Sequence, residues 1–497
     1  MRDTTQPSVV PLGLDTLSEL PAEVTRPDYK REALSHGIVH IGVGNFHRAH
    51  QAWYLHRLMQ AGEAHDWAIM GAGVRPGDAK MREKLLAQDC LTTLIELGPE
   101  GSSAEVIGSM IGFVPVMEDN AALITQIAAP GTRIVSLTVT EGGYFVHPAT
   151  GAFDAEHPDM VHDVARPDAP VSAFGAIIAA LSIRRREGLG PITIQSCDNL
   201  QGNGDFARQT VVSLAQRIDP DLADWIDDQC SFPNSMVDCI VPATGPDEIA
   251  AARAFGIDDS VPVTHENFRQ WVIEDDFCAG RPAWERAGAI VTDNVHIYEA
   301  MKIRILNAGH QVLANAGELL QCATIADCMA HDLIAAFFDK VQRNEIVPYV
   351  DPVPGMSPQS YADLIKQRFA NPAIKDTTRR VAFDGASRHT GFVLPILRDA
   401  VAAGGPIEGI SLVEALWARM CVGTREDGSV IAPNDPDWDS LNAAALRAKS
   451  SPRAWLEQES IYGDLVQNVT FVETFEAWLS LIWAEGVEAA LGKYLRA

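Results

Sequence analysis

Residues 37–58 read GIVHIGVGNFHRAHQAWYLHRL. An apolar, strand-like run from Ile38 to Ile41 leads into Gly42-Val43-Gly44, and a helix-like segment follows from about Phe46 to Met59. Strand, glycine turn and helix is the geometry that sets a pyrophosphate on a helix N-terminus. Gly42 permits the tight turn and Gly44 lets the backbone approach a phosphate. With Asn45, Phe46 and Arg48, which open the helix, they are the candidate cofactor contacts. The third glycine of the usual fingerprint is missing, since Ala49 lies five residues after Gly44. Many strand-to-helix turns carry glycines without binding a nucleotide, so the turn is weighed with its surroundings.

Those surroundings alternate. Strand-like runs (IVHIG, WAIMGAG, TTLIEL, AEVIGSM, RIVSLTVT, PITIQSC) are separated in places by helical patterns at residues 120–128 and 173–185. Such alternation predicts a largely parallel sheet, hence an α/β, Rossmann-like domain. TTLIEL and AEVIGSM, joined by a Gly-Pro-Glu-Gly-Ser turn, read as an inserted antiparallel hairpin. The first thirty residues are proline-rich and are expected to wrap the surface. Beyond about residue 303, helical and alanine-rich patterns dominate. The expected division is a dinucleotide-binding domain over 1–290 and a mainly α-helical catalytic domain over 291–497, as a chain of 497 residues exceeds one comfortable core.

The most chemical stretch is YEAMKIRILNAGHQVLANAG, residues 298–317. At 100° per residue, with Lys302 at zero, Glu299 lies near about 60°, His310 near about 80° and Asn307 near about 140°. Arg304 falls near about 200°, away from the middle of that arc. A lysine, an amide, an imidazole and a carboxylate on one arc suit proton transfer. Burial makes a lysine a usable base, and an amide can donate to a developing alkoxide. The plainer alternative is the wet face of an ordinary helix. Asn199, in PITIQSCDNLQGNG, hangs beyond a strand end where ligands of such sheets bind, although an Asx turn at Asp198 or Asn199 explains the same polar loop.

Several motifs, in order, carry a family resemblance: IGVGNFHRAHQAWY, SLTVTEGGYF, SCDNLQGNG, SFPNSMVD, GRPAWE, YEAMKIRILNAGH and RVAFDGASR. Along nearly its whole length the chain resembles the polyol-specific long-chain dehydrogenases. The resemblance implies metal-independent oxidation of a polyol, mannitol first and arabinitol second, to a ketose. Carried over, Lys302 is the general base, Asn199 and Asn307 hold the reacting oxygen, His310 binds a neighbouring hydroxyl, and Glu299 links the lysine to solvent. Arg380 matches a substrate-binding arginine, and Asp238 a shared aspartate of open role. Arg388 stands where related enzymes carry lysine, which puts substrate preference in doubt, since the two cations are not interchangeable. The resembled enzymes are often monomeric.

NAD is the expected cofactor. An acid after the second strand accepts from the ribose 2′-hydroxyl and repels a 2′-phosphate, and in MGAGVRPGDAK the candidate is Asp78. Related NAD enzymes have two acids there, whereas Gly77 stands first here. With Arg75 close by, weaker use of NADP is expected. Two other functions compete: reduction of hexuronates such as fructuronate within the same family, and a catalytically silent NAD-binding redox sensor.

Composition narrows the rest. A net charge of −27 opposes nucleic-acid binding and attraction to anionic membranes. The N-terminus lacks a signal-peptide core and no long apolar run suggests a membrane span. Eight cysteines without CxxC pairs read as reduced cytoplasmic thiols. His47 and His50 show no third ligand, and His265-Glu266 lacks the second histidine of a metalloprotease helix, so no metal is expected.

Overall fold

The structure is a computed structural model that describes residues 9–147 and 151–497. The chain forms two compact units, Met1–His296 and Ile297–Ala497. The division falls six residues beyond the expected boundary. The strand Ile290–Thr292 pairs in parallel with Gln270–Glu274, which keeps that stretch in the first unit.

The first unit is built on five parallel strands in the spatial order Met110–Phe113, Ala68–Ala72, His36–Ile41, Ile134–Leu137, Thr193–Ser196. Numbered along the chain these run 3-2-1-4-5, the order of a dinucleotide-binding α/β sheet. Register is continuous across the centre, with Ile38 opposite both Ile69 and Ile134. Val39, Ile41, Val135 and Leu137 face one core with Ile177 and Leu181 of the helix Ala173–Glu187, while Ile38 and Ile69 face another with Leu55 and Trp271. Burial on both faces is why these strands read as apolar runs without alternation.

The expected hairpin is present as Thr92–Gly98 and Gly101–Ile107, antiparallel, with Val263–Glu266 added in parallel to its first strand. Met110–Phe113, a few residues later, belongs to the main sheet instead. The N-terminal segment pairs Val10–Pro11 with Ile257–Asp258 and buries Leu12, Leu20 and Val24 against Leu91, Val106 and Ile257.

The helix expected to run unbroken from Phe46 to Met59 is two helices, Asn45–Ala49 and Gln51–Gln60. His50 breaks it, with φ −121° and ψ −96°. Its ring is packed against Phe46, Tyr54 and Trp271, and Nε2 lies 3.1 Å from the Gln270 carbonyl, so tertiary contacts override the local helical preference.

The second unit is helical. Two helices, Ala308–Leu319 and Glu408–Met420, are buried almost all round. The carboxylate of Glu345 accepts from the amides of Gly409 and Ile410, at 2.8 Å each, and so caps the second of them. Three stretches wind as π turns: Lys302–Asn307, Gln342–Ile346 and His389–Val393. Among the described residues no helix is long and apolar enough to cross a membrane.

Candidate active site

In the first unit, the central strand His36–Ile41 ends at the point where the sheet order reverses, the place where such sheets bind ligands. Gly42 has φ +94°, and a Cβ there would lie 2.2 Å from the Thr138 carbonyl oxygen. Only glycine fits. The turn is clamped, since Thr138 Oγ1 donates to the Gly42 carbonyl at 2.6 Å and the Gly42 amide donates to the Ala72 carbonyl at 3.0 Å. Gly44 differs: its φ of −102° suits any residue, and a Cβ there would meet nothing closer than the Gly42 oxygen at 3.9 Å. Open space over Gly44, beside a helix start, fits the pyrophosphate of a dinucleotide.

Asn45 and Arg48 are engaged inside the unit. Asn45 Nδ2 donates to the Pro242 carbonyl at 2.9 Å and to Thr244 Oγ1 at 2.8 Å. The Arg48 guanidinium, fully buried, donates to Asn45 Oδ1 at 2.7 Å, to the Gly44 carbonyl at 3.2 Å and to the Val261 carbonyl. It braces the glycine turn, and Phe46 stacks on His50 at 4.7 Å. Asp78, the first residue of Asp78–Leu86, folds back over the end of the second strand. Its Oδ2 accepts from the Arg75 amide at 2.9 Å, and its side chain lies where a Cβ on Gly73 would sit.

The polar loop after Thr193–Ser196 divides its labour. Asp198 is the structural residue, accepting from the amides of Val139 (3.0 Å) and Thr140 (2.9 Å) and from the Tyr144 hydroxyl (2.7 Å). Asn199, next to it, is exposed beyond the strand's carboxyl end. Asp238 closes the buried strand Ser235–Asp238, opposite Gln270.

In the second unit the lysine helix is no wet face. Glu299 is 3% exposed, Lys302 7% and His310 9%. The π turn alters the angles read from the sequence. An i→i+5 ladder winds more residues per turn, so Lys302 and Asn307, five apart, stand closer to one line than about 140° implies. Gln342, from a second π turn, donates its side-chain amide to the Ile305 carbonyl at 2.7 Å, satisfying backbone inside the first. Arg304 points elsewhere, to the Tyr349 carbonyl and Asp399, both at 2.6 Å.

His310 stacks on Phe369 with ring centroids 4.2 Å apart, and its Nε2 is buried with no hydrogen-bond partner among the described residues. Burial pushes its pKa down to about 3; Asp376 opposes that, and Arg380, Arg388 and Arg368 reinforce it. The ring is neutral at physiological pH. Arg380 is gripped by Asp376, with Nε to Oδ1 and Nη2 to Oδ2 both at 2.6 Å. Arg388 donates from Nη1 to the Val381 carbonyl at 2.8 Å. Asp376 and Arg368 were not singled out in the sequence. Asp376 was legible there as the acidic member of an i, i+4 pair with Arg380. Arg368 carried no such signal. Among the described residues, no group of three His, Cys, Asp or Glu is placed to hold a metal ion.

A dinucleotide-type sheet joined to a helical unit that carries a buried lysine, a half-buried amide and a buried, neutral imidazole on one helix defines a dehydrogenase of the Rossmann class. Residues 36–286 match the mannitol dehydrogenase Rossmann domain and 294–483 the mannitol dehydrogenase C-terminal domain, and the chain belongs to the mannitol dehydrogenase family. It is 56% identical to mannitol 2-dehydrogenase of Cereibacter sphaeroides over 474 residues, covering 95% of this chain and 99% of that one. Among solved structures it is similar to the Pseudomonas fluorescens mannitol 2-dehydrogenase ternary complex with NAD and D-mannitol. That match has 39% identity and a TM-score of 0.86 and covers 98% of this chain and 100% of that one. It is also similar to a D-sorbitol dehydrogenase in substrate-free form, at 33% identity and TM-score 0.90, covering 97% and 100%.

Proposed function

We propose that this enzyme is an NAD-dependent polyol dehydrogenase that interconverts D-mannitol and D-fructose without a metal, D-arabinitol being a second substrate. The observation that carries the reading is the buried helix on which Glu299, Lys302, Asn307 and His310 sit together around a π turn, in a chain so similar to mannitol 2-dehydrogenases. NAD, when bound, supplies the hydride acceptor. Gly42 and Gly44 would admit its pyrophosphate and Asp78 its ribose.

Lys302 removes the proton of the reacting hydroxyl, and Glu299, three residues away on the same buried helix, passes it towards solvent. Asn307 donates to the oxygen as charge develops on it, and the family resemblance assigns Asn199 of the first unit to that oxygen as well. His310 offers an unpaired, neutral ring nitrogen to a neighbouring hydroxyl. A buried polar atom left unpaired costs about 1–3 kcal/mol, which a ligand hydroxyl would recover. Asp238, Arg380 and Arg388 are proposed as further substrate contacts.

The hexuronate reading draws on Arg368, Arg380 and Arg388, all close enough to act on His310. Against it, two of the three nitrogens of Arg380 are already paired with Asp376. The test is kcat/KM, followed at the nicotinamide absorbance after chelator treatment, for mannitol, arabinitol, sorbitol and mannonate. Mannitol with NAD is expected to lead. A preference of roughly a hundredfold for mannonate overturns the polyol assignment.

A further inference from the structure

The carboxylate of Asp376 is 5% exposed and faces two proposed substrate contacts at once. Its two oxygens hold Nε and Nη2 of Arg380 in a planar fork at 2.6 Å, and Oδ2 also lies 3.8 Å from Nε2 of His310. The residue's position does not depend on that carboxylate. Its carbonyl accepts from the Ile325 amide at 2.8 Å, and the neighbouring Thr378 amide donates to the Ala323 carbonyl at 3.1 Å. Thr377 caps the helix Thr378–Ala382, accepting from the Arg380 amide at 3.2 Å.

A bidentate guanidinium–carboxylate pair satisfies the face of arginine that recognises planar anions. Arg380 is otherwise well exposed, with 61% of its side chain accessible, so without Asp376 that face would be open to a ligand carboxylate. A carboxylate brought near the pair also meets the negative charge of Asp376 at close range. Hydroxyl groups meet no such penalty.

Resting on the polyol reading above, we infer that Asp376 is a positioning residue that makes this site prefer an uncharged polyol over a sugar acid, by occupying the fork of Arg380 and fixing it beside His310. Such discrimination works by a repulsive element against the wrong ligand as well as by contacts to the right one.

The test compares kcat/KM for D-mannonate and D-mannitol, both with NAD, in the full-length enzyme. Asp376→Asn keeps the size of the side chain and removes the charge. It is expected to raise the mannonate-to-mannitol ratio at least tenfold, chiefly through a lower KM for mannonate, while the Kd for NAD stays put. Arg380→Gln changes a surface-accessible side chain and leaves Asp376 unneutralised, so the same ratio is expected to fall at least tenfold. This second variant decides the matter should Asp376→Asn fail to fold. A residue that merely holds the loop together would lower activity on both substrates alike. Ratios within twofold of wild type in folded variants overturn the inference while leaving the polyol reading intact. A wild-type enzyme that prefers mannonate overturns both.

Discussion

Two glycines two residues apart make opposite predictions. At Gly42 an alanine must adopt φ +94° and place its Cβ 2.2 Å from a backbone oxygen of Thr138, which the clamp from Thr138 Oγ1 prevents from moving freely. The left-handed conformation costs about 1–2 kcal/mol and the overpacking about 1–3 kcal/mol, so Gly42→Ala should lose about 2–5 kcal/mol of stability in the first unit. At Gly44 the backbone is already extended and a methyl group meets only open space. Gly44→Ala should therefore melt at the wild-type temperature or slightly above, because restricting the unfolded chain is worth about 0.4–1 kcal/mol. If a pyrophosphate passes over that Cα, the same methyl group stands in its way, and the Kd for NAD should rise at least tenfold, about 1.4 kcal/mol. Thermal melting and an NADH fluorescence titration on the two variants separate these effects. A Gly44→Ala protein that binds NADH as tightly as wild type would refute the placement of the cofactor.

Lys302→Ala should lower kcat by a factor of about 10²–10⁴ while NAD binding persists, and wild-type oxidation should rise with pH as the base loses its proton; near-normal turnover by the folded variant would remove the lysine from the mechanism. Asp78→Ala should raise the NADP-to-NAD ratio of kcat/KM by roughly tenfold, because a carboxylate that repels a 2′-phosphate is gone; an unchanged ratio would make Asp78 only the brace of the Arg75 turn. Acid should destabilise the first unit. Burial lowers the pKa of His40 and His265 from 6.5 to about 3, and that of His47 well below its ordinary value. The unfolded chain thus binds more protons between those limits, and stability present above pH 6.5 is lost as pH falls. At pH 5.5 the loss is about 1.4 kcal/mol per histidine, or about 3 kcal/mol for His40 and His265 together, and equal melting temperatures at pH 7.5 and 5.5 would contradict it.

The parallel sheet was legible because its strands are buried on both faces, and the glycine turn because Gly42 stands where no other residue fits. The break at His50 was not, since it depends on Trp271 and the Gln270 carbonyl, more than two hundred residues away. Met110–Phe113 was lost inside the hairpin reading because a short apolar run does not announce which sheet it joins. On the lysine helix, residue types pointed to the chemistry, but polarity alone could not separate a buried arc from a wet one. The helices that cover it lie far along the chain. The π turns are equally silent in sequence, because a single wide turn scarcely changes the hydrophobic period. Arg48 illustrates the converse: a cation at a phosphate-type turn whose three nitrogens each donate within its own unit.

The wide turn at Lys302–Asn307 also bears on how this segment tolerates change in length. Deleting one residue from it would let the helix relax to ordinary winding, and because a wide turn holds about one residue more than an ordinary one, the residues downstream would keep nearly their facing. His310 would stay on its stack with Phe369, and the wholly buried Ala308–Leu319 would still present the same side chains to its neighbours. One residue removed from the ordinary winding of Ala308–Leu319 has no such slack and would swing everything beyond it by about 100°. Protein engineers who recombine related chains should therefore treat the wide turn as the place where this helix absorbs a difference of one residue.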